Sequence, residues 1–125
     1  MSAASGFRAA VEARDLDGMV AACAANVVLR SPVTFRPFEG REAVGLLFSI
    51  LLRTFEGFRY LDEFEHEGAS VLVFATRVGD REVEGVDLIR YDRDGLIADL
   101  TVMVRPLSAT IALAEAIGPQ LEASA

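Results

Sequence analysis

The sequence predicts a single α+β domain, spanning residues 1–125, in which a curved antiparallel sheet wraps around a long helix. Three observations predict this class. Apolar residues recur at helical spacing in the first half of the chain, hydrophobic runs joined by hairpin-like turns fill most of the second half, and a further helical pattern follows Pro106. Because the runs of strands do not alternate with helices, the pattern favours α+β over α/β.

Three helices are predicted in the first half. The first covers residues 6–14, and the second follows the DLDG turn, where an aspartate can cap its N-terminus. This second helix is expected to carry Cys23 inward and to end near Asn26. The third begins after Gly40 and is apolar on two sides, so we expect it to be buried on two sides. Its apolar residues are Val44, Leu46, Leu47, Phe48, Ile50, Leu51, Leu52 and Phe55.

A short strand is predicted over residues 27–30, where the pair Ser31–Pro32 ends it. The loop that follows holds Phe35 and Phe38, which we expect to point into the interior because large apolar side chains favour burial.

Four longer strands are predicted after the third helix, joined by short turns that contain glycine. They cover residues 58–65, 70–78, 82–92 and 97–105. Consecutive hairpins form an antiparallel meander. An amphipathic helix follows Pro106, and we expect the pair Gly118–Pro119 to stop or bend it.

Composition and charge limit the partners. Apolar residues make up 52% of the chain, which is enough for a hydrophobic core, and the net charge of −7 disfavours nucleic acid and anionic membrane surfaces. No run reaches the ~18 apolar residues of a membrane span, and the N-terminus lacks the apolar stretch of a signal peptide. We therefore expect a cytoplasmic protein without a nucleic-acid or membrane partner.

The single cysteine, Cys23, excludes an internal disulfide and a cysteine-based metal cage. It lies in an apolar stretch with no base nearby in the sequence, so we expect a buried, unreactive thiol. No His, Asp and Glu grouping has metal-ligand spacing, and no glycine-rich phosphate loop occurs. The sequence therefore predicts neither a metal nor a cofactor.

The order of elements resembles that of the nuclear transport factor 2-like superfamily, a cystatin-like fold. Two stretches resemble ketosteroid isomerases and SnoaL-like polyketide cyclases most specifically: RDLDGMVAACAANVVLRSPV, and GVDLIRYDRDGLI with its acid before the turn. The tail, residues 101–118, resembles an uncharacterised bacterial branch. The resemblance implies a cone around a mostly apolar pocket, but this superfamily includes several kinds of enzyme and non-catalytic subunits, so it does not decide the function.

The resemblance to ketosteroid isomerases implies three functional positions. Those enzymes use a carboxylate base, together with a tyrosine and a protonated aspartic acid that donate hydrogen bonds to the oxyanion. The base position falls on Ser31, which cannot take a carbon-bound proton without a base of its own. The tyrosine position falls on Phe7, which has no hydroxyl group. Only the acid is retained, as Asp87, so the isomerase set is incomplete.

Cyclases and epoxide hydrolases of the superfamily place an acid in the last strand, at a position that corresponds to Val102. Strand alternation puts Leu100 and Val104 on the same face, so this chemistry also lacks its acid. The resemblance assigns the other face to a homodimer interface, formed by Asp99, Thr101, Met103 and Arg105. A slip of one residue in the register would instead turn Asp99 into the pocket.

Asp87 is the main candidate for a functional side chain. It lies between Val86 and Leu88 in a predicted strand, where an acid is uncommon unless something satisfies it. In an apolar pocket, desolvation would raise its pKa, and the acid could then donate a hydrogen bond to a carbonyl group or act as a general acid. The alternative is a structural ion pair with Arg30 or Arg77.

The other candidates would form the pocket wall. Strand alternation allows Arg30 to point inward and offer its guanidinium to a carboxylate ligand, although arginine side chains more often lie at the surface. Tyr60 and Tyr91 are interpreted as rim or sheet-surface residues, and Ser31 as a residue that could hold a water for Asp87. The predicted ligand contacts are Phe7, Arg30, Phe35, Phe38, Phe48, Leu52, Phe55, Leu100, Val102 and Val104.

Three functions stay open at this point. The domain binds an apolar small molecule of unknown identity, oriented by Asp87; or it is a SnoaL-like enzyme, a cyclase, hydratase or isomerase, with Asp87 as the acid; or it is a dimeric interaction protein whose own side chains fill the pocket. The apolar residues at two of the family's catalytic positions favour binding over catalysis.

Overall fold

The computed structural model describes residues 3–124, with side chains from residue 6 onward. The predicted boundaries of the domain, residues 1 and 125, therefore lie outside the described residues. The helices are α1 (Ala3–Glu12), α2 (Leu16–Ala21), α3 (Gly40–Thr54) and α4 (Leu107–Ala123). The strands are β1 (Cys23–Arg30), β2 (Phe38–Glu39), β3 (Glu56–His66), β4 (Ala69–Val78), β5 (Arg81–Tyr91) and β6 (Ile97–Arg105). One curved sheet packed against helices confirms the predicted α+β class.

The strands form one sheet in the order β2-β1-β6-β5-β4-β3. The predicted meander is present as β3 to β6, close to the predicted boundaries. The pair β1 and β6 is parallel, whereas the other neighbours are antiparallel. The prediction of an antiparallel sheet is therefore wrong for this one pair, because strands that are distant in the sequence need not meet as a hairpin.

The second helix starts as predicted but ends earlier. Asp15 caps α2 by accepting a hydrogen bond at 3.0 Å from the backbone nitrogen of Gly18. The helix ends at Ala21, and the segment from Cys23, predicted as helical, already belongs to β1. Cys23 pairs with Ile97 of β6 and is fully buried. Pairing with β6 and burial outweigh the helix propensity of this alanine-rich segment.

The last helix, α4, continues through Pro119 to Ala123, so the predicted stop at Gly118–Pro119 is wrong, whereas the alternative of a bend there stays a prediction. Gln120 ties the final turns to α3, since its Nε2 donates to Oγ1 of Thr54 at 3.1 Å and its Oε1 accepts from Arg53 at 3.2 Å. These contacts stabilise the end of α4, where Pro119 has no backbone N–H group to donate a helical hydrogen bond. None of the helices within residues 3–124 has both the length and the hydropathy that a membrane span requires.

The long helix α3 lies against the inner face of the sheet. Val44, Leu47, Phe48 and Ile50 are each at most 2% exposed, and they belong to one core cluster that also takes in the sheet and α4. Leu46 is 37% exposed. The prediction of burial on two sides therefore holds for most of the helix but not at Leu46.

Gly85 of β5 leaves room on the inner face for an aromatic ring. A Cβ atom at this position would lie 2.3 Å from Cζ of Phe74 and 2.8 Å from the carbonyl oxygen of Met103. The ring of Phe74 also stacks on Phe58, with 4.9 Å between the ring centroids. The absence of a side chain at Gly85 thus allows an aromatic wall to form two residues before Asp87.

Candidate functional site

A cavity of about 300 Å³ lies between the inner face of the sheet and helices α1 to α3. Its wall is mostly aliphatic and aromatic and comes from both layers. The volume is at the lower end of the range of small-molecule sites, which is about 300–1,000 Å³. Phe48, Leu52 and Phe55 form part of the wall and leave this space unfilled.

Asp87 faces this cavity from the middle of β5. Its strand neighbours are Leu72 on β4 and Val102 on β6, and the residue is 7% exposed. Among residues 6–124, no side chain forms an ion pair or a hydrogen bond with its carboxyl group. Desolvation by burial therefore raises the pKa of Asp87 from 3.8 to about 7. A substantial share of the molecules carries a protonated Asp87 at neutral pH.

The alternative of a structural ion pair at Asp87 is wrong, because both candidate arginines have other partners. Nη2 of Arg30 lies 3.1 Å from Oδ2 of Asp99, and Nη2 of Arg77 lies 4.0 Å from Oε2 of Glu56. Arg30 is exposed and is not part of the cavity wall, so its predicted contact with a ligand is also wrong.

The register of β6 decides which of its residues face the cavity. Asp87 pairs with Val102, and Ile89 pairs with Leu100, so both β6 residues lie on the inner face and line the cavity. The predicted alternation is confirmed, and Asp99 lies on the outer face. Val104 shares the inner face but packs against the core outside the cavity wall, which corrects its predicted place.

Tyr60 of β3 is a candidate that the sequence interpretation placed at the rim. It lines the cavity, its ring packs edge-on against Phe58 with 4.9 Å between centroids, and the Arg8 guanidinium lies 5.3 Å from its ring centroid. Burial, followed by the charges of Asp87 and Glu12, raises the pKa of Tyr60 above its usual value. The hydroxyl group therefore stays protonated and can donate a hydrogen bond.

The sequence contained one signal for this position. Phe58 and Tyr60 alternate in a strand, so they share a face. Which face they share depends on pairing, and Tyr60 pairs with the buried Phe74 of β4. Alternation alone could not tell the inner face from the outer one.

Six of the predicted wall residues do line the cavity: Phe7, Phe48, Leu52, Phe55, Leu100 and Val102. Phe7 is 2% exposed, and its ring centroid lies 5.7 Å from that of Phe48. This contact fastens α1 to α3 beside the cavity. That these residues contact a ligand stays a prediction.

The segment of residues 31–38, which ends in β2, keeps its aromatic residues outside the cavity wall. Oγ of Ser31 accepts hydrogen bonds from the backbone nitrogens of Val33 and Thr34, both at 3.2 Å, and so organises the turn. Phe35 is 103% exposed, and Phe38 is half-buried against another part of the core. The predicted places of Phe35, Phe38 and Ser31 in the pocket are therefore wrong.

The mouth of the cavity lies where the end of α1 meets the end of α3. The exposed residues of its wall are Glu12, Arg14 and Gly57, and the first two are charged. Nη2 of Arg14 donates a hydrogen bond to the carbonyl oxygen of Leu52 in the last turn of α3. Because the last carbonyl groups of a helix lack helical partners, Arg14 caps α3 and joins the two sides of the mouth.

Cys23 is buried in the core and is not part of the cavity wall. Burial raises the pKa of the Cys23 thiol to about 11, although the Arg41 guanidinium lowers it in part. The buried thiol that was predicted is confirmed, and it stays protonated near neutral pH. In the part of the chain that the structure describes, no three His, Cys, Asp or Glu side chains are grouped to hold a metal ion.

The cavity thus combines apolar walls with two hydrogen-bond donors, the protonated carboxyl group of Asp87 and the hydroxyl group of Tyr60. Donors in such a desolvated space can bind a carbonyl oxygen and can stabilise negative charge that develops on it. The apolar wall suits the hydrocarbon part of the same molecule. The arrangement therefore favours an uncharged, mostly apolar molecule with one acceptor oxygen.

Among solved structures, a steroid delta-isomerase from Pseudomonas aeruginosa is similar to this chain, with 35% identity and a TM-score of 0.91 over 98% of this chain and 90% of that chain. A bacterial protein with a cystatin-like fold from Silicibacter pomeroyi DSS-3 is similar at 27% identity, with a TM-score of 0.92 over 96% of this chain and 85% of that chain. An NTF-2-like protein of unknown function from Burkholderia xenovorans LB400 shares the fold at 16% identity, with a TM-score of 0.72 over 82% of this chain and 79% of that chain.

No curated protein matches the chain. The family model described as a SnoaL-like domain matches residues 4–100, which is most of the chain and includes the acid-bearing strand β5. The fold agrees with that match, and so does the likeness to the steroid delta-isomerase. The chain therefore belongs to the SnoaL-like domain family, within the nuclear transport factor 2-like superfamily.

Proposed function

We propose that the domain binds an uncharged, apolar small molecule whose carbonyl oxygen accepts hydrogen bonds from Asp87 and Tyr60. The observation that carries this proposal is Asp87, a buried acid that faces an apolar cavity and has no partner among the described residues. Burying a polar group without a hydrogen bond costs stability. A ligand with an acceptor oxygen would supply the missing partner and recover part of that cost.

A second candidate function is catalysis on the same kind of molecule, as an isomerase or a related enzyme. The steroid delta-isomerase that is 35% identical to this chain favours it. Two neutral donors would stabilise the oxyanion of an enolate. Ser31, at the position of the family's base, is not part of the cavity wall. This candidate therefore needs a proton acceptor elsewhere.

Binding is tested with α-tetralone, a bicyclic ketone, and tetralin, its hydrocarbon counterpart. Both can bury the same ring system, but only the ketone accepts hydrogen bonds from Asp87 and Tyr60. At about 1 kcal/mol for each bond, we expect the ketone to bind roughly 10- to 30-fold more tightly. The measurement is the rise in melting temperature as a function of ligand concentration.

Three variants distinguish the contribution of the Asp87 donor to ligand affinity from that of the apolar wall. Asp87→Leu should reduce the preference for the ketone to about fivefold, because Tyr60 alone would still donate. Phe55→Ala should weaken both compounds, and Phe35→Ala should change neither, since Phe35 is fully exposed. Equal affinity of the wild type for ketone and hydrocarbon would refute the role of the donors. If neither compound raises the melting temperature, the cavity does not bind this class of molecule.

We also propose a homodimer that forms through the outer face of the sheet. Val73, Val86 and Met103 form one cross-strand row on this face, and Val71, Leu88 and Thr101 form the next. Met103 is 51% exposed. The ion pairs Arg30–Asp99 and Arg105–Glu84 lie at the border. An apolar face with a charged border suits pairing with an identical face about a two-fold axis.

Sedimentation equilibrium checks the homodimer. The wild type is expected to sediment with twice the mass of one chain, and Met103→Glu with the mass of one chain, because the variant would bury a charge in the interface. Leu107→Glu is the matched control, since Leu107 is 75% exposed on α4. A monomeric wild type would refute the proposal.

Two expectations from the sequence stay predictions: a cytoplasmic location and function without a cofactor. Cell fractionation checks the first, and the ultraviolet and visible absorption of protein purified from its native host checks the second.

A further inference from the structure

Glu12 is the one carboxylate besides Asp87 in the cavity wall, among the residues that the structure describes. It lies in the last turn of α1, in the helical layer, whereas Asp87 and Tyr60 project from the sheet. Its charge is close enough to Tyr60 to contribute to the raised pKa of that hydroxyl group. A molecule held in the cavity would therefore have donors from the sheet and a carboxylate from the helices around it.

Arg8 holds Glu12 in place. Nε of Arg8 lies 3.5 Å from Oε2 of Glu12, one helical turn away, and Nη1 lies 3.4 Å from Oε1 of Glu63 on β3. The same guanidinium packs over the ring of Tyr60. One arginine thus couples the position of Glu12 on α1 to the strand that carries the tyrosine donor.

The two carboxyl groups of the cavity lie in opposite environments. Asp87 is desolvated and has no partner among the described side chains, and its burial favours the neutral form. The side chain of Glu12 is 51% exposed and is paired with the Arg8 guanidinium. A buried acid whose neutral form is favoured and an exposed carboxylate on the opposite wall can divide the roles of acid and base between them. Asp87 can donate, and Glu12 can accept.

We propose that Glu12 is the catalytic base of this cavity and removes a proton from the carbon next to the carbonyl group of the bound molecule. The C–H bond breaks, and its electron pair forms the carbon–carbon double bond of an enolate. The negative charge moves to the carbonyl oxygen, which accepts hydrogen bonds from Asp87 and Tyr60. Glu12 then returns the proton to the same carbon, or to the far carbon of a conjugated system, which shifts the double bond and regenerates the carboxylate. This inference rests on the proposed binding of a carbonyl compound.

The experiment measures deuterium exchange at the carbon next to the carbonyl group of α-tetralone in heavy water, by proton NMR. The wild type is expected to exchange faster than the buffer alone. Glu12→Gln is expected to lower the catalysed rate about 10²-fold or more, because it loses the proton acceptor. The melting-temperature shift caused by α-tetralone should stay as in the wild type. Glu12→Asp should keep part of the exchange, since the shorter carboxylate is still a base.

The matched control is Glu115→Gln, which changes an exposed glutamate on α4 and should leave exchange and binding unchanged. If the wild type binds α-tetralone without exchanging its protons, or if Glu12→Gln exchanges at the wild-type rate, the role of Glu12 is refuted and the proposed binding stands. If α-tetralone does not bind to the wild type, both ideas fail.

Discussion

The variant Asp87→Asn is expected to be more stable than the wild type by about 4 kcal/mol above pH 7, and by less than about 1 kcal/mol near pH 4. Burial raises the pKa of Asp87 from 3.8 to about 7 in the folded chain. Below the unfolded value, both states bind the proton and the acid has no effect on the pH dependence. Between the two values, only the unfolded state loses the proton, so stability falls by about 1.4 kcal/mol per pH unit. Asparagine does not ionise and escapes this loss.

Urea unfolding followed by circular dichroism, between about pH 4 and pH 8, measures this difference. Other titrating groups contribute to both curves, so the difference between the variant and the wild type isolates Asp87. The control is Asp62→Asn on β3, where the acid is exposed and the curve should keep the wild-type shape. Equal stabilities of wild type and Asp87→Asn at pH 8 would mean that Asp87 is not desolvated.

The affinity of the wild type for α-tetralone is expected to fall about tenfold for each pH unit above about pH 7. The ketone accepts a hydrogen bond from the protonated carboxyl group, whereas the carboxylate would repel its oxygen. The pKa of Asp87, about 7, places this loss between neutral and mildly alkaline pH. Tyr60 stays protonated over the same range, because its pKa is raised. A dissociation constant at pH 9 about 100-fold above that at pH 6 is the expected result.

Isothermal titration calorimetry at several pH values measures this dependence. Since α-tetralone has no group that titrates in this range, the change must come from the protein. The variant Asp87→Asn retains a neutral donor, so its affinity should not depend on pH. A wild-type affinity that is constant from about pH 6 to pH 9 would contradict a hydrogen bond from Asp87.

Local sequence patterns predicted most of the strands and turns that position the candidate site. The turns at Gly68, Gly79 and Gly95 have positive φ angles, a conformation that glycine adopts at little cost, and they set the hairpins close to the predicted boundaries. Period-two alternation then placed Leu100 and Val102 on the face of Asp87, as observed. These features depend on residues close in sequence, so the sequence could predict them.

The predictions from the sequence were wrong where contacts between residues distant in the sequence determine the local structure. The segment at Cys23 has alanines that favour a helix, but it lies beside β6 and pairs with it. Arg30 could point to either side by alternation, and Asp99, distant in sequence, holds it at the surface. Phe35 is apolar but lies at a turn that Ser31 organises, and so it is exposed.

The sequence by itself determined the α+β class, the meander and the place of an acid between two apolar residues of a strand, because periodicity and turn chemistry are local. Only the tertiary structure decided that Asp87 has no partner among residues 6–124, that Tyr60 faces the same cavity and that Glu12 lies in its wall. The physical reason is that desolvation and electrostatic coupling depend on distances through space, and α1, β3 and β5 meet around the cavity only in the folded chain.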